Sequence, residues 1–181
     1  VVNKLPTLHE HLTQRCMNGL SLLHIAACQG HIEVVKQLIL LRPELVNATD
    51  AAGRTAFWHA ARASQFGVMN VMSLRRDVSV DTDYMDKCGF SPARSAVRDG
   101  RFEVLNCLIK IESKRTDARN SLKAERSIDH EPLLLFASAV GRTECVDLLL
   151  RRDVRTWKVG SPEHRDLLEK AKRRGDTKLE G

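Results

Sequence analysis

Aromatic residues are scarce in this chain. They fill 4% of its 181 positions, as five Phe, two Trp and one Tyr. That excludes a core organised around large rings and favours helices packed through Ala, Leu, Ile and Val. No apolar run approaches the roughly 18 residues needed to cross a bilayer, so no membrane span is expected. No charged, apolar and small-residue pattern precedes the repeats, so no leader is expected. Five cysteines, Cys16, Cys28, Cys88, Cys107 and Cys145, are an odd number without a Cys-x-x-Cys pair. Free or buried thiols in a reducing, cytoplasmic or nuclear setting are expected from them, not a disulfide framework. His9, His11 and Cys16 are loosely spaced and lack a fourth ligand, which argues against a metal site. No phosphate-binding loop, dinucleotide glycine fingerprint or nucleophile–base set is present, so neither a cofactor nor an enzymatic activity is expected. The first residue is Val1, not methionine, which predicts a portion of something longer.

What the chain has is repetition. Gly19-Leu-Ser-Leu-Leu-His-Ile-Ala-Ala27 returns 34 residues later as Gly53-Arg-Thr-Ala-Phe-Trp-His-Ala-Ala61. Gly89-Phe-Ser-Pro-Ala-Arg-Ser-Ala-Val97 continues the series, and Leu134-Leu-Phe-Ala-Ser-Ala-Val-Gly141 is an eroded fourth copy. A period between about 20 and 50 residues marks a stacked-repeat protein, which presents a surface and does not enclose a reaction site.

Each copy reads as turn, helix, tight loop, helix, loop. Ser21, Thr55 and Ser91 stand two residues after a glycine and just before an apolar stretch. There a hydroxyl can accept a backbone N–H at a helix start. Pro92 follows Ser91, at a position where the missing N–H costs nothing. The small pairs Ala26-Ala27, Ala60-Ala61 and Ala96-Val97 let two helices approach closely. Gly30, Gly100 and Gly141 fall where a first helix should stop in the left-handed conformation. Ile32, Val35, Leu38 and Ile39 then line one stripe of a second helix. Such a unit cannot bury its stripe without a neighbour.

These spacings resemble the ankyrin-repeat family, whose pattern runs D-x-x-G-x-T-P-L-H-x-A-A-x-x-G-H-x-x-V-V-x-x-L-L. Residues 16–39 match most of it, and the likeness extends over 16–154. The resemblance implies an all-α ankyrin-repeat solenoid of helix-turn-helix units. It divides a single domain, 1–181, into an N-terminal cap (1–15), repeats at 16–49, 50–85, 86–126 and 127–160, and a C-terminal cap helix (161–175). The departures are specific. His24 of the first copy becomes Trp58, Arg94 and Leu135 in the later ones. Ser64 stands where the interhelical glycine belongs, with Gly67 nearby as a substitute, and His130 and Pro132 replace Gly and Thr in the fourth copy.

The net charge of +6 is uneven. Residues 110–126, an insertion beyond the family spacing, carry six basic and three acidic side chains, and 151–181 carry ten and six. The insertion reads either as an extended second helix with a loop or as a surface segment. The remainder is close to neutral, which argues against a continuous nucleic-acid track along the stack. A basic patch at one end leaves an anionic lipid or nucleic acid as a further alternative partner.

In proteins similar to this one, partners rest on a concave face made by turn tips and first helices. The positions this selects are Met17, Asn18, Leu20, Gln29, Arg54, Trp58, Arg62, Lys87, Phe90, Arg94, Arg98 and Asp99. Leu20, Phe90 and Trp58 are apolar groups that a turn would push outward, though Trp58 reads equally as packing between repeats. Arg54, Arg62, Lys87, Arg94 and Arg98 are expected close together across the middle repeats. Apolar anchors ringed by arginine are the usual material of interface hot spots. The function expected is a non-catalytic module, monomeric on its own, that binds an acidic or extended segment of a protein partner. The alternative is a regulatory or targeting portion of a larger enzyme or of a pathogen effector acting in the host cytosol.

Overall fold

In a computed structural model the protein is described at residues 16, 18–75, 77–118, 130–152, 166, 169, 170 and 173. The segments expected as the N-terminal cap and the end of the insertion lie outside the described residues, as does most of the C-terminal cap. Two compact units result, Val1–Pro92 and Ala93–Gly181.

The first unit holds two helix pairs: α1 (Leu22–Gln29) with α2 (Ile32–Leu41), and α3 (Ala56–Arg62) with α4 (Phe66–Ser73). Within each pair the helices pack on one another, and the pairs stack, α1 on α3 and α2 on α4. Small residues permit this. Ala26, Ala27, Ala60 and Ala61 are buried between the helices. From the second helices come Val35, Leu38, Ile39, Val68, Met69 and Met72, all buried, while Val46 and Val80 seal the loops that follow.

The second unit is built likewise from α5 (Pro92–Arg98), α6 (Phe102–Ala118), α7 (His130–Val140) and α8 (Thr143–Arg152). There α7 packs on α8, and α6 on α8. Pro92 occupies the first helical position, as its fixed φ favours. At 17 residues α6 outruns the 10-residue α2 and α8. The first part of the insertion is therefore an extended second helix. Cys107 is half-buried and Cys145 buried on the second helices, where the thiol serves as a small apolar group. Burial, reinforced by Glu144 and Glu103, pushes the Cys145 thiol up to about 11. Cys16, Cys28 and Cys88 are exposed and free.

The four interhelical turns share one hydrogen-bond pattern. The residue after each turn donates its N–H to the alanine five back: His31 to Ala26 (3.0 Å), Gln65 to Ala60 (2.9 Å), Arg101 to Ala96 (2.8 Å) and Arg142 to Ala137 (3.0 Å). This closure needs a left-handed residue between. Gly30, Gly100 and Gly141 supply it at φ 80°, 71° and 75°. In the second copy Ser64 itself supplies it, at φ 56°. Gly67 does not substitute, because it lies inside α4, three residues too late to close the turn.

Candidate functional site

The surface that the sequence selects is carried by turns at the start of each first helix. In the second and third copies an aspartate builds the turn. Asp50 Oδ1 accepts the N–H groups of Ala52 and Arg54, both at 2.8 Å. Asp86 Oδ1 accepts those of Cys88 and Phe90, both at 2.9 Å. The far oxygen of Asp50 lies 2.9 Å from His59 Nε2. Burial pushes the Asp50 carboxyl up, but the bonds from Arg54 N–H and His59, with the charge of His59, outweigh it and hold the carboxyl below its ordinary value. Cys16 stands at this place in the first copy and among the described residues joins the turn through its backbone, donating its N–H to the Leu20 carbonyl at 2.9 Å and accepting the Gly19 N–H at 2.8 Å.

Successive turns are tied edge to edge. Ala51 N–H donates to the Asn18 carbonyl at 3.0 Å, and Lys87 N–H to the Ala52 carbonyl at 2.9 Å. Gly19 and Gly53 allow that approach. A Cβ on either would lie 2.9 Å and 3.0 Å from those donating nitrogens, and both residues have φ above 70°.

Side chains add a second tie. Ser21 N–H donates to His24 Nδ1 at 3.1 Å, and the Ser21 hydroxyl lies 2.7 Å from the same nitrogen. Nδ1 is thus an acceptor, which assigns the ring proton to Nε2. Nε2 then donates to the Arg54 carbonyl in the next turn, at 3.1 Å. One layer on, Trp58 holds the equivalent place. Its backbone N–H donates to the Thr55 hydroxyl at 3.2 Å, and its indole Nε1–H to the Phe90 carbonyl at 3.3 Å. Trp58 therefore keeps the cross-turn bond that His24 makes.

That placement corrects one expectation. Trp58 is not pushed outward but is 2% exposed, because its indole N–H must reach the neighbouring turn. Leu20 and Phe90 are half-buried. Above the Trp58 ring lie two guanidiniums, Arg54 with Cζ 4.5 Å from the ring centroid and Arg62 at 5.8 Å. Arg54 Nε is 3.6 Å from Asp86 Oδ2. That nitrogen is buried and makes no hydrogen bond among the described residues. Lys87 is exposed, and its stem passes Gly53, where a Cβ would lie 3.1 Å from Lys87 Cγ. Arg54, Arg62 and Lys87 belong to the first unit, Arg94, Arg98 and Asp99 to the second. In the second unit exposed Arg94 stacks on Phe136 at 4.8 Å, and Arg98 pairs with Asp99 at 2.9 Å. Asn18 and Gln29 are exposed, and Met17 lies outside the described residues.

Three further ties had no counterpart in the sequence reading. Asn47 donates from Nδ2 to the Ser79 carbonyl at 2.7 Å and accepts the Asp81 N–H at 2.9 Å. Gln65 Nε2 donates to the Cys28 carbonyl at 3.3 Å, and Arg142 Nη2 to the Arg98 carbonyl at 3.0 Å. The aspartates of the Asp-x-x-Gly turns did carry a signal, their fixed spacing to glycine. Among the described residues no helix is long and apolar enough to cross a membrane, and no group of His, Cys, Asp or Glu is arranged to hold a metal ion.

Helix pairs joined by tight left-handed turns, with hydrogen-bonded tips linking one pair to the next, define a stacked helical repeat protein. The family model described as ankyrin repeats, 3 copies, matches residues 2–82, so that part of the chain is similar to ankyrin-repeat proteins. Its fold is all-α ankyrin. The match begins within the segment read from sequence as an N-terminal cap. No curated protein matches the chain. Ankyrin repeats are generally protein–protein interaction modules.

Proposed function

We propose that this chain is a non-catalytic ankyrin domain, 1–181, that binds an acidic, extended segment of a protein partner on the face formed by its turn tips and first helices. The observation that carries this reading is the pair of guanidiniums over the Trp58 ring, with exposed Lys87 on the adjoining turn. Carboxylates gain most from arginines whose rotamers are already restrained, since less side-chain entropy is lost on binding. A surface of this kind steers an acidic chain by long-range attraction and then holds it by short contacts. Asn18, Leu20, Gln29 and Phe90 flank the cluster on the same turns and first helices, and Arg94, Arg98 and Asp99 are the corresponding residues of the second unit. The reading includes a monomeric protein working in the cytoplasm or nucleus.

The test is capture of partners from a lysate by the isolated chain, followed by competition with an Arg62→Glu/Lys87→Glu variant. The variant should bind the captured partner about ten-fold or more weakly, with a shallower salt dependence. Equal binding by the variant would place the partner elsewhere on the protein.

A further inference from the structure

Equivalent positions in the first two helix pairs differ sharply in exposure. Leu22 of α1 is 46% exposed, whereas Ala56, its counterpart in α3, is fully buried. Val34 of α2 is 45% exposed, and its counterpart Val68 of α4 only 1%. Ile25 and Leu41 are exposed as well. These four side chains share one side of the first pair. Ile32 faces the second pair, since a Cβ on Gly67 would lie 2.6 Å from Ile32 Cδ1. At 3.6 residues per turn, Val34 and Leu41 stand about 180–200° round from Ile32, on a single stripe. In α1, His24 reaches the second pair through the Arg54 carbonyl. Leu22 stands about 200° round from His24, one turn from Ile25. The first pair therefore turns large apolar groups away from the second, on a side that is buried one layer on. Exposed apolar faces of this kind mark surfaces that pack against something.

We propose that residues 5–15 of this chain cover that face, laying Leu5, Leu8 and Leu12 against Leu22, Ile25, Val34 and Leu41. This gives the cap expected from sequence its seat and its contacts. The segment itself lies outside the described residues, and its chemistry, length and place in the chain select it over a second copy. Leu5, Leu8 and Leu12 recur at the spacing of one helical stripe. Thr7, Glu10 and Gln14 fall on the opposite side, which supplies the polar outer surface that the end of a stack needs. Pro6 suits a first helical turn, where its missing N–H costs nothing. A helix over 6–15 runs about 15 Å, the length of the 10-residue α2. The segment ends at Cys16, whose N–H donates to the Leu20 carbonyl in the turn that leads into α1. It is thus delivered beside the face it covers. The ankyrin-repeat match, moreover, begins at residue 2 and includes the segment.

The test uses the full chain. Leu8→Asp/Leu12→Asp places charge on the segment, and Val34→Ser/Leu41→Ser removes apolar groups from the face. Each variant is followed by urea unfolding, by fluorescence of 8-anilinonaphthalene-1-sulfonate and by sedimentation velocity. The segment variant should lower the urea midpoint by roughly 1 M and raise dye fluorescence several-fold as the face opens to water. Val34→Ser/Leu41→Ser should lower the midpoint too, but without the rise in dye signal. Combined, the four changes should cost no more than the segment variant alone, because both pairs cut the same contact. Leu8→Ala/Leu12→Ala gives a milder reading should the aspartates prevent folding. An unchanged midpoint and dye signal in both segment variants overturns the proposal, as do losses that simply add in the combination. An unaltered chain that sediments as a dimer, and as a monomer once Val34 and Leu41 are replaced, assigns the face to a second copy and overturns it as well.

Discussion

The turn that begins at Ser21 and the turn that begins at Thr55 sit one layer apart and end in the same kind of bond. In the first, an imidazole braces its own N-cap through Nδ1 and reaches the next layer through Nε2. In the second, the work is divided: the Thr55 hydroxyl caps the helix, and the Trp58 indole makes the reach. The aspartate scaffold differs in the opposite sense, since Asp50 and Asp86 organise the later turns while Cys16 leaves the first to its backbone. What is preserved between layers is therefore the position of the donor and the acceptor. The residue that supplies them is free to change, provided its remaining surface can be buried or used.

The comparison can be broken most severely at Trp58. Trp58→Ala removes both the bond and a fully enclosed ring, and should lower unfolding stability by about 3–5 kcal/mol in urea melts. A loss no larger than that of a surface substitution would mean the second turn does not depend on the indole. Asp50→Ala comes next. It strips acceptors from two backbone N–H groups and from His59, and should cost about 2–3 kcal/mol. The same residue sharpens the contrast through pH. Its folded-state carboxyl titrates below the unfolded one, so its contribution is fully present above about pH 4 and fades as pH falls through the lower folded value. Stability measured from neutral pH to pH 2 should therefore fall less steeply in Asp50→Asn than in the unaltered chain. Trp58→Phe removes the cross-turn bond and part of the enclosed ring and should cost about 1–2 kcal/mol, well below the loss in Trp58→Ala. The smallest effect has the opposite sign. Ser64→Gly relieves a left-handed serine and should raise stability by about 0.5–1 kcal/mol, whereas Gly30→Ser should lower it.

Much of this fold was legible because its signals are local. Ala26-Ala27, the glycines at left-handed turns and the stripe through Val35, Leu38 and Ile39 all act within one helix pair, where spacing along the chain is spacing in the structure. The ties between layers were not legible. Gln65 to Cys28, Asn47 to Ser79 and Trp58 to Phe90 join residues more than 30 positions apart, with no local pattern to announce them. Trp58 was read both as an outward anchor and as packing, and its burial follows from a partner in another turn. Ser64 was masked by Gly67, the more permissive residue, because composition says nothing about which of two neighbours must close the turn. The arginines were visible as a set. Their arrangement over one ring depended on that same buried indole.

The described side-chain ties that His24, Trp58, Gln65 and Arg142 make to the neighbouring layer end on a main-chain oxygen, that of Arg54, Phe90, Cys28 or Arg98. Any amino acid can serve as such a landing point. Mutation at the exposed positions 28 and 98 can therefore rewrite what the protein touches while the carbonyl that docks the neighbouring layer stays in place, and evolution is left with editable sites within the stack.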